Sequence, residues 1–297
     1  MSKQFFDFKQ NSIEEMNIDT LKRTYRENDI YGNPLRGLYH FQVIEQVAEI
    51  ARAQGLTTQI ETIFAAKNQN KQYPGVSVLP QVEDIEGGQA VEAHILRRVY
   101  TTIKIEDNET DELTSNIAIA YHQEGLQIAF GQRVKICTNQ TILGADHIAA
   151  NFGKGKKSNT EIFETVENWM RDFFRYQEKD RRIIETMKNI DCTNDEVMKI
   201  IGLLNCIRVK QDTKHGFIRE SEMAYPLNQS QISVFVEKYL LEKFNREVAG
   251  LGMAHFSLWD IYNMATELHK PGNTDVTNII NQNFATGEVL KQFYTIY

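Results

Sequence analysis

Basic and aromatic residues alternate along two segments of this 297-residue chain that are typical of neighbouring β-strands. Arg98, Tyr100 and Lys104 share one parity on the first segment, and Arg133 and Lys135 share one parity on the other. Successive side chains of a strand point to opposite faces, so these five residues can lie on one sheet surface. Such a surface would bind the phosphates of a nucleic acid and stack on its bases. The alternative is an ordinary solvent face with salt bridges to nearby acidic residues.

Three further lysines, Lys154, Lys156 and Lys157, stand just before a predicted helix start. The segment departs from the phosphate-binding pattern G-x-x-x-x-G-K-[ST], because Lys157 occupies the position of the required hydroxyl residue. Lysines before a helix N-terminus are still suited to a phosphate or a nucleic-acid backbone. A solvated loop that joins two parts of the chain is the alternative.

Aromatic, amide and hydroxyl side chains recur at helical spacing near the C-terminus. Trp259, Tyr262, Asn263 and Thr266 stand at i, i+3, i+4 and i+7, so they share one face of a helix. This face could stack on a base or a small ligand. It could equally be a buried polar network that braces two halves of the protein.

The familiar catalytic and metal-binding motifs do not occur in the sequence. The seven histidines form no H-E-x-x-H, the three cysteines form no C-x-x-C, and there is no G-x-S-x-G. We therefore predict no metal, no cofactor and no catalytic residue, with the cysteines as buried thiols in a reducing compartment. An enzyme that gathers distant residues such as His94, His122 and Asn139 is an open alternative.

The net charge of −7 is unevenly distributed. Residues 81–130 hold ten acidic and three basic residues, whereas residues 131–182 hold ten basic and seven acidic ones. Overall acidity argues against a protein that coats DNA nonspecifically, although a local basic face is compatible with DNA binding. No apolar run reaches the ~20 residues of a membrane helix, and the N-terminus lacks a signal-peptide pattern. We expect a soluble, cytoplasmic protein with no membrane partner.

The elements that position these residues change in type along the chain. Apolar residues at helical spacing over 40–54 predict a helix with Gly55 at its C-terminal cap. Alternation then predicts a half-buried strand over 56–64 and a three-stranded antiparallel meander over 95–138. After residue 150, periodicity and two capping boxes, one from Ser158 to Glu161 and one from Thr193 to Glu196, indicate helices. Strands early and helices late predict an α+β fold.

We predict three parts of the chain. Residues 1–30 are expected to form a loosely held arm or a short helix, because charges surround sparse apolar positions there. Residues 31–152 are expected to form an α+β domain with an antiparallel sheet, and residues 153–297 a helical domain packed on it. The helical part also provides a surface for self-association, so a homo-oligomer is among the expected states.

Two segments resemble a known family. The strand end carries Cys137-Thr138-Asn139, which is similar to a Cys-Ser/Thr-Asn signature, and the helix from Trp259 to Thr266 matches a Trp-x-x-Tyr-Asn-x-x-Thr pattern. On these residues the chain resembles the phage/plasmid-like proteins of unknown function carried by bacterial mobile elements, in a variant common in Bacteroidetes. The order of elements agrees with that family over most of residues 30–295, whereas residues 1–30 and 153–158 have no counterpart in it. It implies a mobile-element gene, a cytoplasmic product and a role with DNA, and it supplies no catalytic residues.

The residues and the resemblance together predict an accessory protein that binds nucleic acid without catalysis, with single-stranded DNA as the expected form. One alternative is a protein-interaction or structural module that acts on a host or phage protein through the acidic residues 81–130. A second alternative is an enzyme with a site assembled from distant residues.

Overall fold

The protein combines one large antiparallel sheet with eight helices among the residues that the structure describes. The computed structural model describes residues 13–24, 39–67, 82–83, 90–91, 96–107, 110, 112–122, 125–134, 140–141, 148–149, 159–206, 227–249, 255–271 and 278–294. The strands are β1 (Ile13–Met16), β2 (Thr58–Ile60), β3 (Ile63–Lys67), β4 (Val82–Glu83), β5 (Ala90–Val91), β6 (Leu96–Ile105), β7 (Leu113–His122), β8 (Gly125–Val134), β9 (Gln140–Thr141), β10 (Ile148–Ala149), β11 (Asp191–Cys192) and β12 (Phe256–Ser257). The helices are α1 (Ile18–Thr24), α2 (His40–Ala53), α3 (Asn159–Arg171), α4 (Phe173–Lys188), α5 (Asn194–Cys206), α6 (Gln229–Val248), α7 (Leu258–Thr266) and α8 (Ile279–Leu290). The predicted α+β fold is confirmed.

The sheet is built around the predicted meander of β6, β7 and β8. Its strand order is β1-β3-β6-β7-β8-β10, with β2 paired to β6 and β9 paired to β8. All of these pairs are antiparallel. The three long strands carry ten residues each, so most of the sheet's side chains come from the meander.

The two faces of the sheet have different coverings. One face, which we call the helix-covered face, packs Ile103, Ile119 and Phe130 against α2 and α3, with Val47 and Val166 among the contacts. The opposite face, which we call the polar face, is covered in part by α8. A small apolar cluster there contains Tyr100, Ala118, Ala120 and Ala129 of the sheet together with Ile279 and Ile280.

A second core lies among the C-terminal helices. It gathers buried side chains from α5, α6, α7 and α8, including Ile200, Phe235, Ile261 and Leu290. Seven of the nine residues of α7 are buried, so this helix is surrounded by the others. The two-residue strands β11 and β12 pair within this helical half.

The predicted division after residue 152 does not separate the two cores. Ile162 and Phe173, which follow it in the chain, belong to the core under the helix-covered face. The end of α4 contributes Ile184 and Met187 to the helical core. At 1.5 Å per residue, the sixteen residues of α4 span about 24 Å, which is enough to reach from one core to the other.

Residues 13–24 of the predicted arm or short helix form strand β1 and the short helix α1. Strand β1 pairs with β3 at the edge of the sheet. Leu21 of α1 is fully buried in the core under the helix-covered face. A four-residue strand and a seven-residue helix are too short to show a clear period in the sequence. Residues 1–12 and 25–30 lie outside the described part of the chain.

The predicted single strand over 56–64 is interrupted by a bulge. Ile60 pairs with Ile103, and Phe64 pairs with Tyr100. Three residues lie between these two pairs on the β2–β3 segment, whereas only two lie between them on β6. The extra residue reverses the alternation, and Ile60 and Ile63 therefore both contribute to the core under the helix-covered face.

Candidate functional site

The register of the sheet brings the backbone positions of four predicted binding residues to the polar face. Lys104 pairs with Asn116 and Arg98 pairs with His122 on β7. Tyr100 lies between Arg98 and Lys104 on β6 and faces the same side of the sheet. Arg133 of β8 pairs with Thr114 of β7, so its position faces that side too. The parity argument therefore placed Arg98, Tyr100, Lys104 and Arg133 on a common face. Only the backbone of Arg98 and His122 is described.

Tyr100, the expected stacking ring, is buried. Its side chain is 4% exposed and packs in the cluster that joins the polar face to α8. Burial raises the pKa of the Tyr100 phenol, while the Arg133 cation opposes that rise and the Glu61 carboxylate adds to it. The expectation of an exposed ring at Tyr100 is wrong, because a helix from the C-terminal end of the chain covers this position.

The described basic side chains of the polar face already have carboxylate partners. Arg133 forms a short ion pair with Glu61, and the hydroxyl of Thr102 donates a hydrogen bond to the same carboxylate. Lys104 Nζ lies 3.4 Å from Glu106 Oε1. Glu61 directly follows Ile60, which faces the core, so alternation places Glu61 on the polar face. An anion would therefore have to compete with Glu61 for Arg133.

The aromatic residues of α7 lie inside the helical core. The rings of Trp259 and Tyr262 stack on each other with centroids 5.7 Å apart and planes inclined by 12°. Both side chains are buried, whereas Asn263 is half-buried. Thr266 Oγ1 donates to the Tyr262 carbonyl over 3.0 Å. The four residues share a helix face as predicted, and their two rings are occupied by core packing rather than available to a ligand.

Several predicted site residues lie outside the described part of the chain. They are Lys135, Asn139, Lys154, Lys156 and Lys157, together with His94 of the enzyme alternative. Most acidic residues of the 81–130 block have no described side chain either. Two that do, Glu106 and Glu112, are paired with Lys104 and with Lys188.

Cys192 is a free thiol in β11, between α4 and α5. Burial raises its pKa to about 11, and the carboxylates of Glu196, Asp191 and Asp260 act in the same direction. The thiolate is the reactive form of cysteine, so this side chain is a poor nucleophile near neutral pH. The side chains of Cys137 and Cys206 are not described.

Sequence reasoning missed a basic surface on α4. This helix carries five basic and three acidic residues, the largest net positive charge of the described helices, and one of the acids, Asp180, is buried. Arg175 and Arg182 expose 70% and 71% of their side chains. The signal in the sequence is the spacing of Arg175 and Arg182, which stand at i and i+7 and therefore share one face of a helix.

An exposed aromatic ring stands among these arginines. Phe174 is 59% exposed, and its ring contacts that of buried Phe173 edge-on, with centroids 5.1 Å apart. Arg171 precedes Phe174 by about one helical turn, and Arg175 directly follows it. We call Arg171, Phe174, Arg175 and Arg182 the arginine face.

The arginines of this face have local carboxylate partners. Arg175 Nη2 lies 2.9 Å from Asp172 Oδ2, and Arg182 Nε lies 3.0 Å from Glu178 Oε1. Arg171 pairs in the same way with Glu167. Exposed pairs one turn apart contribute only about 0.3–0.5 kcal/mol, so a phosphate that offers a bidentate contact can replace them.

The sequence matches no protein-family model and no curated protein, and the fold matches no solved structure. The resemblance to phage/plasmid-like proteins therefore stays a hypothesis. Among the described side chains, no three His, Cys, Asp or Glu residues gather where they could hold a metal ion. None of the described helices is both long and apolar enough to cross a membrane.

Proposed function

We propose that this protein binds single-stranded nucleic acid without catalysis, as an accessory protein of a mobile element, through the arginine face. The observation that carries the proposal is the exposed Phe174 ring between exposed arginines on the most basic described helix. Cationic groups beside an open aromatic ring are the combination by which proteins track a single strand and stack on its bases.

The geometry of the arginine face suits a short length of backbone. Arg175 and Arg182 are seven residues apart, which is about 10 Å along a helix axis. The rise per nucleotide in one strand of a duplex is about 3.4 Å, so this distance corresponds to about three nucleotides. Phe174 lies at one end of that interval and can take one unpaired base.

An unpaired base is needed because Phe174 offers only the flat face and edge of its ring. In a duplex the faces of the bases are already stacked on one another and do not reach a protein side chain. The proposal therefore favours single strands over duplexes of the same sequence. It also includes Lys154, Lys156 and Lys157, which precede α3 in the chain.

Fluorescence anisotropy with a labelled single-stranded oligonucleotide, measured across a salt series, tests this proposal. We expect binding that weakens steeply with salt, because each phosphate contact releases counterions. Phe174→Ala should weaken it about 5- to 150-fold, the loss of one stacked base. Arg175→Glu should also weaken binding and should reduce the salt dependence.

Arg52→Glu is a matched control for Arg175→Glu. Arg52 also forms an ion pair one turn away, with Glu49 at 2.6 Å, but it lies on α2. Both variants change the net charge equally, so a difference between them reports the arginine face. Equal effects of the two variants would overturn the site, and failure of the unaltered protein to bind at low salt would overturn the function.

A further inference from the structure

Helix α6 carries an exposed apolar stripe in addition to its buried face. Ile232, Phe235 and Tyr239 of this helix are buried in the helical core. On the other side lie five exposed apolar residues: Val234 at 42%, Leu240 at 51%, Leu241 at 59%, Phe244 at 61% and Val248 at 68% exposure. A surface helix is normally polar on the side away from the core, so this side of α6 is expected to have a partner.

The exposed residues form one continuous band along the helix. Val234, Leu241 and Val248 are spaced by seven residues, which is close to two turns, and Phe244 lies beside them. Leu240 borders the band. We call these five residues the α6 stripe. At the exposures given above, they present an area on the order of 500 Å², which is the size of surface patch that marks interaction sites.

The spacing of the α6 stripe is symmetric about Leu241. An antiparallel copy of the helix with a two-fold axis at Leu241 would place Val234 against Val248 of the partner subunit. Leu241 would then meet Leu241 of the partner subunit. A two-fold interface requires a patch that is complementary to itself, and this spacing meets that requirement.

The charge at the centre of the stripe favours the antiparallel arrangement. Glu237 is exposed within the band, and no ion pair joins it to another described residue. In the antiparallel pair it would face Asn245 of the partner subunit, whose amide can donate to the carboxylate. A parallel pair in register would bring Glu237 against its own copy, and like charges there would repel.

We infer that two copies of this chain associate through the α6 stripe in an antiparallel, two-fold-symmetric pair. About 500 Å² from each copy gives roughly 1,000 Å² in total, the lower limit for a specific interface. A dimer of this size is expected to dissociate in the micromolar range. The surface is separate from the arginine face, so the pairing does not depend on nucleic-acid binding.

Sedimentation equilibrium of the full chain over about 1–100 μM tests the pairing. We expect a monomer–dimer equilibrium for the unaltered protein and at least a tenfold weaker association for Phe244→Glu. The matched control is Phe174→Glu, because Phe174 is 59% exposed, almost as much as Phe244, but lies on α4. This control should keep the dimer, and circular dichroism should show both variants folded.

A cross-link tests the register. Leu241→Cys should form a symmetric disulfide with the same position of the second copy under mild oxidation, because a two-fold axis brings these positions within disulfide distance. Ser230→Cys on the same side of α6 should not, since it lies three turns from the axis.

Three results would overturn the inference. One is a monomer at 100 μM, which would mean that another segment of this chain or a different protein covers the stripe. Another is a dimer that Phe244→Glu leaves intact. The third is an open series of larger assemblies, because a two-fold pair closes on itself.

Discussion

His40 shows at the residue scale how burial makes a titratable group sensitive to acid. The side chain is fully buried at the first residue of α2, where its Nδ1 accepts a hydrogen bond from the Phe41 amide over 3.0 Å. The ring of Tyr121 packs against it edge-on, and no described residue hydrogen-bonds its Nε2. Burial lowers the pKa of His40 from 6.5 to about 4. The folded protein therefore holds this imidazole neutral.

We predict that the folded state loses stability as the pH falls through this window. Between pH 6.5 and about 4 the unfolded chain binds a proton at His40 that the folded chain does not. The free energy of unfolding should fall by up to about 3 kcal/mol on this account. Urea unfolding at several pH values, compared with His40→Leu, measures it. Parallel pH profiles of the two proteins would contradict the assignment.

The polar face shows how far single residues could be predicted from the sequence. Parity correctly put Arg98, Tyr100, Lys104 and Arg133 on one face, because alternation within a strand is a local property. The burial of Tyr100 depends on Ile279 and Ile280, which come almost 180 residues later. No local pattern contains that contact.

At the scale of elements, the end of α2 gives a test of backbone conformation. Gly55 has φ +83° and donates to the Arg52 carbonyl over 2.8 Å, and the Leu56 amide donates to the Ala51 carbonyl over 3.2 Å. This is a Schellman motif, which requires a left-handed residue at the position of Gly55. The C-terminal glycine was predicted from the sequence because it directly follows the apolar period.

Gly55→Ala and Gly202→Ala should change stability in opposite directions. A Cβ at either position meets nothing within 4 Å, so the comparison isolates the backbone. Gly55→Ala should cost about 1 kcal/mol, because an L-residue resists a positive φ. Gly202 lies inside α5, where alanine should add about 0.5–1 kcal/mol. Urea unfolding measures both, and shifts of the same sign would contradict this account.

Other elements were predictable where the signal was local. The box of Thr193 and Glu196 opens α5 as predicted, since the Thr193 amide donates to Glu196 Oε2 over 2.7 Å and the Glu196 amide donates to Thr193 Oγ1 over 3.3 Å. The exposure of the α6 stripe was not predictable. Apolar residues at helical spacing indicate a helix, but they do not say which of them face the core.

At the scale of the whole molecule, α4 reaches both cores, and α8 joins the helical core to the cluster on the polar face of the sheet. Trp169 lies in the core under the helix-covered face, and Trp259 lies in the helical core. These are the only two tryptophans of the chain. The predicted domain boundary followed the change from strand patterns to helix patterns along the sequence. Packing between distant helices and strands instead decides which residues unfold together.

We predict that the two cores unfold in one transition. Trp169→Phe leaves a fluorescent reporter in the helical core, and Trp259→Phe leaves one in the other core. Each variant's fluorescence should change at the same urea concentration as its own far-ultraviolet circular dichroism, because α4 packs in both cores and couples them. A fluorescence change that precedes or follows the circular dichroism would instead indicate two separate units.

The bulge between β2 and β3 also determines where the chain can lose one residue without disturbing the sheet. Deleting one residue within β7 would exchange its buried and polar side chains across the sheet. Loss of the exposed Thr62 would remove only the surplus residue and leave Ile60 and Ile63 facing the core. A shorter relative of this protein could therefore lack this residue and keep the same sheet, with Glu61 still beside Arg133.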